Sequence, residues 1–239
     1  MTREYYEGYW SEEGFSPAGE LAPETRRLLE RVVSPSDLIA DVGCGDGGGL
    51  GAWAQAHGNP YVGFDVAEGA LRKARAIGLE AHLIEDASSL PLEKGTVDVV
   101  ACVEVLEHLF EPHLAVREFR RVLVPGGTLI ASVPNIAYWV RRIELGLLGR
   151  FNPYGDAESV ELPWRDPHIR FFTRRTIQRM LRSSGFTDIR VMAESHQPFS
   201  LRTRVEGSRP YLAVMRVWPS FLAPTLLAMA RSPGPESDQ

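Results

Sequence analysis

The stretch Leu38-Ile39-Ala40-Asp41-Val42-Gly43-Cys44-Gly45-Asp46-Gly47-Gly48-Gly49-Leu50 carries an apolar run of strand type into a cluster of glycines. A helical apolar pattern at Leu50, Trp53, Ala54 and Ala56 follows at once, so the glycines sit in a tight strand-to-helix turn. Glycine enters positive φ without steric penalty and has no Cβ. A ligand can therefore lie against the backbone while the N–H groups of the new helix face its anionic part. Six glycines in the nine residues 43 to 51 carry a large conformational-entropy cost that a plain connection does not require.

Two ligand classes compete for such a turn. Gly43-x-Gly45-x-x-Gly48 fits the dinucleotide fingerprint, with Asp65 standing about twenty residues on, at the end of Tyr61-Val62-Gly63-Phe64, where a ribose-binding carboxylate belongs. Asp41 in front of the glycines and a second acidic loop at Glu85-Asp86-Ala87 shift the choice away from a dinucleotide. Beyond the turn, helical and strand patterns alternate: strands at 61–65 and 79–84, helices at 50–57 and 68–77, then Val97 to Val103, a helix from Pro112 to Leu123, a Pro125-Gly126-Gly127 turn and a strand from Thr128 to Val133. This spacing predicts parallel pairing with right-handed crossovers. Val97 to Val103 is almost unbroken apolar sequence, as expected of a central strand buried on both faces. It ends in Glu104-Val105-Leu106-Glu107-His108, beyond the carboxyl end of a strand, where open α/β sheets bind ligands.

Around this centre the chain is less regular. Residues 1 to 20 hold Tyr5, Tyr6, Tyr9, Trp10 and Phe15 without a clean helical stripe and read as an arm folded over something else, a lid being one candidate. An amphipathic helix is expected from Pro23 to Val33. Ile136 to Leu148 looks helical, and Gly149 to Pro167 reads as an irregular insertion with Arg150, Phe151, Tyr154, Trp164 and Arg165. Thr173 is placed to cap a helix ending at Ser184 and Gly185, and Phe186 to Ala193 with Tyr211 to Trp218 reads as a final strand pair. Pro219 to Ala230 suggests a docked helix or an interface patch, and 232–239 a disordered Pro/Gly tail. The expected organisation is one domain over 1–231, with an aromatic arm and helix at 1–34 and a substrate-side insertion at 136–170.

A chain of 239 residues with 44% hydrophobic content supports one substantial core, and its formal charge of −5 gives no electrostatic footprint for a polyanion. Nucleic acid is not expected as a partner. Cys44 and Cys102, the two cysteines, lie in the glycine turn and in an apolar strand, which fits a reducing cytoplasm better than a disulfide scaffold. Neither a basic leader nor a bilayer-length apolar run is seen, so no membrane is expected.

The succession Asp41-Val42-Gly43-Cys44-Gly45-Asp46-Gly47, Gly63-Phe64-Asp65-Val66 and Glu85-Asp86-Ala87 resembles the ordered motifs of class I S-adenosylmethionine-dependent methyltransferases, over about residues 35 to 218. The resemblance implies a Rossmann-like, doubly wound α/β sheet of seven strands in the order 3-2-1-4-5-7-6, mostly parallel with a final antiparallel pair. It implies S-adenosylmethionine as cofactor, S-adenosylhomocysteine as product, and methyl transfer to an oxygen or nitrogen of a small molecule, a specialised metabolite among the candidates. By matching position, Asp41, Gly43, Cys44 and Gly45 fall to the methionine portion of the cofactor, Asp65 and Val66 to the ribose, and Asp86 and Ala87 to the adenine; Val103 and Glu104 complete the set. Within the family, Val133-Pro134-Asn135-Ile136-Ala137-Tyr138-Trp139, Leu148-Gly149-Arg150, Asp166-Pro167-His168 and Phe172-Thr173 look like the methionine-biosynthesis protein W branch, over about 38 to 190. That branch implies the alternative role, a catalytically weak partner of an acyltransferase in methionine biosynthesis.

Methyl transfer from a sulfonium rests mainly on alignment and desolvation. An acceptor that must lose a proton also benefits from a general base, and His108 and His168 are the candidates. The plainer readings are a Glu-His pair with no catalytic part and a histidine that pins the insertion. Tyr9, Trp10, Trp139, Arg142 and Trp164 are candidates for the acceptor pocket, and arginines there suit either an anionic acceptor or a solvated face. His57, His82, His113 and His196 show no metal spacing, so no metal is expected. A homodimer is left open.

Overall fold

The computed structural model describes residues 3–10, 21–150, 167–194, 214 and 217–234. Helix α1 is Arg3–Trp10 and α2 Pro23–Val32; β1 is Ile39–Val42, α3 Leu50–His57, β2 Tyr61–Asp65, α4 Glu68–Ala76, β3 Ala81–Leu83 and β4 Val97–Val103. A single 3-10 turn, Leu106–His108, precedes α5 (Pro112–Val122), β5 (Leu123–Pro134) and α6 (Trp139–Leu148). Then come α7 (Arg174–Ser183), β6 (Thr187–Glu194), a short α8 (Pro219–Leu222) and β7 (Thr225–Arg231). The seven strands form one sheet in the order β3-β2-β1-β4-β5-β7-β6, with β7 antiparallel to both neighbours and all other pairs parallel, as expected from the resemblance.

Alternate residues of the central strands feed two apolar layers, which is why these strands read as continuous hydrophobic runs. Ala40, Val42, Val100, Cys102, Ala228 and Ala230 face Val116 and Phe119 of α5 and Ile177 and Leu181 of α7. Ile39, Val99, Ala101, Ile130, Leu227 and Met229 face Leu28 and Leu29 of α2 and Leu50, Trp53 and Ala54 of α3. The Pro125-Gly126-Gly127 turn lies within β5, where the pairing register to β4 shifts between Val97 and Val99 and absorbs the extra residues. Thr173 caps α7 as expected, its side chain accepting from the Thr176 amide.

Three expectations need correction. The arm at 1–20 contains a helix, α1, whose buried side is carried by Tyr6 and Trp10 four residues apart; one such pair is too short a stripe to stand out among the aromatics. The seventh strand is Thr225–Arg231, within the stretch read as a helix or interface patch; most of Tyr211 to Trp218 lies outside the described residues. Leu226 to Ala230 has neither alternation nor β-branched residues, so propensity favours helix, but pairing with β5 on one side and β6 on the other overrides it. The tail does not leave the sheet at 232: Ser232 is buried, its N–H donates to the Gly127 carbonyl at 2.8 Å, and its carbonyl accepts from the Gly126 amide at 3.2 Å. Residues 235–239 lie outside the described set. Among the described residues no helix is long and apolar enough to cross a membrane.

Candidate functional site

The carboxyl ends of β1, β2 and β4 meet at the glycine turn. Gly43, at φ 81°, and Gly45, at φ 55°, both adopt left-handed backbone. A Cβ on Gly43 would run into the side chain of Val105, and one on Gly45 would lie 2.7 Å from the Trp10 ring. These two positions therefore demand glycine twice over, by conformation and by space. Asp65, at the end of β2, is buried and holds the turn: its Oδ2 accepts from the Gly45 amide and its Oδ1 from the Ala67 amide, both at 2.9 Å. Burial raises its pKa above the usual carboxylate value, against the lowering effect of those amides.

Asp41 lies one strand over, also buried, and accepts from the Tyr61 hydroxyl at 2.9 Å. Burial pushes its pKa up to about 7; the Tyr61 hydrogen bond opposes the shift and the charge of Asp65 adds to it. Cys44 is buried beside them, and burial raises its thiol pKa, so it acts as packing rather than as a nucleophile. Val66 is partly buried, Ala87 is buried, and Asp86 is exposed, its Oδ1 accepting from the Ser88 amide at 2.6 Å. At the end of β4, Val103 and Glu104 are partly buried. Glu104 has φ 54° and accepts from the Ser132 hydroxyl at 2.7 Å, a non-glycine residue held in left-handed backbone at the mouth of the sheet.

Helix α1 lies across this mouth. Glu7 caps α4, which has no side-chain cap of its own: its carboxylate accepts from the amides of Glu68 at 2.8 Å and Gly69 at 3.1 Å. Trp10 is buried against Ala67 and Ala70, and the Lys73 ammonium stands 5.6 Å from the centre of its ring. One turn back, the Tyr6 ring meets His108 edge-on at 6.1 Å between centroids. Trp10 thus stands at the glycine turn, and α1 joins that turn to His108. The backbone of Tyr9 belongs to α1.

The two candidate bases, sixty residues apart in the chain, meet. His108 and His168 have ring centroids 4.7 Å apart. The His108 Nδ1 lies 3.2 Å from the Pro167 carbonyl, which can only accept, so in the neutral ring Nδ1 carries the proton and Nε2 keeps its lone pair. Beside the Nε2 atoms of both rings is the carboxyl of Glu107, a residue that reading the sequence did not single out. Its backbone carbonyl accepts from the amides of Ile169 and Arg170, each at 3.0 Å, and its buried carboxyl has its pKa pushed well up, by burial first and by Glu104 second. Of the other expected acceptor residues, Trp139 is partly buried at the start of α6. Arg142 is exposed, donating to the Ala137 carbonyl at 2.7 Å and standing over the Phe221 ring. Trp164 lies outside the described residues.

The donor set fits S-adenosylmethionine. Asp65 ends β2 beside the glycine turn as a carboxylate acceptor of the kind that takes ribose hydroxyls, and Gly43 beside it is only partly buried. Asp41, Gly43, Gly45, Asp65 and Glu104 are the residues that would hold it.

Comparison with known proteins agrees. The family described as "Methyltransferase domain" matches residues 40–131. A ubiquinone biosynthesis O-methyltransferase of Bordetella avium is 38% identical over 136 residues, 53% of this chain and 56% of that protein. The chain spans little more than half the length of the curated relatives it matches first. A protein of the same description from Idiomarina loihiensis is 30% identical over 197 residues, 77% of this chain and 76% of its own length. Among solved structures, an S-adenosylmethionine-dependent methyltransferase from Mesorhizobium loti superposes with a TM-score of 0.58 at 22% identity, covering 86% of this chain and 96% of that one, a likeness of fold. On its motifs, its strand order and these relatives, the chain belongs to the class I S-adenosylmethionine-dependent methyltransferase superfamily.

Proposed function

We propose that this protein transfers a methyl group from S-adenosylmethionine to an oxygen or nitrogen of a small molecule, with oxygen favoured. The observation that carries the reading is the convergence of His108 and His168 beside the strand end that shapes the glycine turn, with α1 spanning the two. When bound, the cofactor supplies an electrophilic methyl on a good leaving group. The chain's own contribution is placement and proton handling: Asp65 and the glycine turn fix one reactant, Tyr6 and Trp10 cover the junction, and the Nε2 of His108 accepts the acceptor's proton. A histidine suits a phenol, an enol or an amine better than a carbon acid, because its ordinary pKa is near neutral. The relatives described as ubiquinone biosynthesis O-methyltransferases support the oxygen choice.

The test is transfer of labelled methyl from S-adenosylmethionine to a panel of phenols, amines and small acids. Label in a phenol or amine that falls by about 10²-fold or more in His108→Asn, with cofactor affinity kept, supports the reading. Cofactor binding without turnover on any acceptor, together with co-purification of an acyltransferase, would move the assignment to the partner role.

A further inference from the structure

Helix α1 touches both halves of the site, and its eight residues are too few to hold a helix in place unaided. Its position is set by what it docks on. The first amides of α4 are shared between two carboxylates: Asp65 accepts from Ala67, and Glu7 accepts from Glu68 and Gly69. The Trp10 ring occupies the space a side chain on Gly45 would take, and the Gly45 amide is itself bound to Asp65. Both anchors of α1 therefore rest on backbone that Asp65 organises. Tyr6, one turn back from Trp10, makes the contact with the other half. Its ring meets that of His108 edge-on, with the planes 82° apart and the centroids 6.1 Å apart. The other restraints on this imidazole come from the 167–168 strap: His168 stacks on it at 4.7 Å, and the Pro167 carbonyl lies 3.2 Å from Nδ1. A stacked neighbour and one hydrogen bond still let the ring rock about Nδ1. A third ring set across its plane restricts that motion.

We propose that Tyr6 is a positioning residue for His108, held by Glu7 and Trp10, so that a cofactor seated at the glycine turn aligns the imidazole for the methyl acceptor. This rests on the proton-accepting role proposed above for His108. Ligand contacts at Gly45 and Asp65 firm the surface on which Glu7 and Trp10 dock, and the docked helix holds Tyr6 against the imidazole. The chain then handles its reactants in order, because the base is well placed only once the cofactor has bound. The contact is ring against ring, so phenylalanine serves in place of Tyr6 and a small aliphatic residue does not.

Hydrogen exchange of the whole chain with and without S-adenosylhomocysteine tests this, read at α1 and at the 106–109 turn, where the His108 amide is bound to the Val105 carbonyl. In the wild type and in Tyr6→Phe the ligand should slow exchange about tenfold or more at both places; in Tyr6→Ala it should do so at α1 alone. With an acceptor in hand, kcat should fall about tenfold or more in Tyr6→Ala with cofactor affinity kept, and recover in Tyr6→Phe. Joining Glu7→Ala to Tyr6→Ala should cost kcat no more than the worse of the two alone, as expected of residues acting through one helix. Should Tyr6→Ala fail to fold, Tyr6→Leu replaces it. Equal slowing of the 106–109 turn in the folded variant, or additive losses in the double variant, overturns the proposal and leaves the methyltransferase reading standing. Coupled slowing with no turnover on any acceptor keeps the link between the two halves and sinks the proton-accepting reading.

Discussion

The two sides of the proposed site are built differently. On the proposed cofactor side, Asp41, Gly43, Gly45 and Asp65 sit on or directly after paired strands, and both aspartates are buried with oxygens tied to a hydroxyl or backbone amides. On the proposed acceptor side, α6 exposes Ile143, Leu145, Leu147 and Leu148, the chain around α8 exposes Val217, Trp218 and Phe221, and Arg142 is spent on a neighbouring carbonyl and ring. Sheet pairing leaves the first side little freedom. The second rides on connections after β5 and between β6 and β7, where residues change without disturbing the core. Cofactor affinity should therefore respond sharply to changes on one side and hardly at all to changes on the other.

The largest effect is expected at the glycine turn. Gly43→Val places a branched side chain in left-handed backbone against Val105 and should weaken S-adenosylmethionine binding at least a hundredfold by calorimetry, equivalent to about 2.7 kcal/mol or more. Asp65→Ala comes next, with at least a tenfold loss, since it removes a charged acceptor for the ribose and releases the Gly45 amide. Unchanged affinity in that variant would remove Asp65 from the site.

Stability should carry a smaller signature of the same burial. The Asp41 carboxyl has its native pKa raised to about 7 from 3.8, so the stability it allows below about pH 4 is lost as pH rises towards 7, where the unfolded chain ionises more readily. Asp41→Asn keeps an acceptor for Tyr61 and removes that slope. Its melting temperature should exceed the wild type's by at least about 3 °C at pH 8, with the gap closing towards pH 4. The smallest effect is on the other side: Arg142→Ala should change cofactor affinity less than about twofold, and a larger loss would show that the two sides are coupled through α6.

This contrast also explains what was legible in the sequence. Gly43, Gly45 and Asp65 make their contacts within one strand-turn-helix unit and the strand beside it, so spacing marked them as a ligand turn while the family resemblance assigned the ligand. His108 and His168 were each visible, but their meeting depends on hydrogen bonds donated by the Ile169 and Arg170 amides to the Glu107 carbonyl, which no local pattern encodes. Glu107 itself looked like an ordinary acid beside a histidine. The strand Thr225–Arg231 was hidden because Leu226 to Ala230 are buried on both faces, which erases the alternation that marks a half-exposed strand. Helix α1 was hidden because its stability comes from Glu7 on α4 and Trp10 on the glycine turn rather than from its own sequence.

The most direct measurement is calorimetry of the purified protein with S-adenosylmethionine, S-adenosylhomocysteine and NAD. The geometry of Asp41, the glycine turn and Asp65 predicts micromolar binding of both methionine-derived ligands and none of NAD. Binding of NAD alone would contradict that assignment at all three positions together.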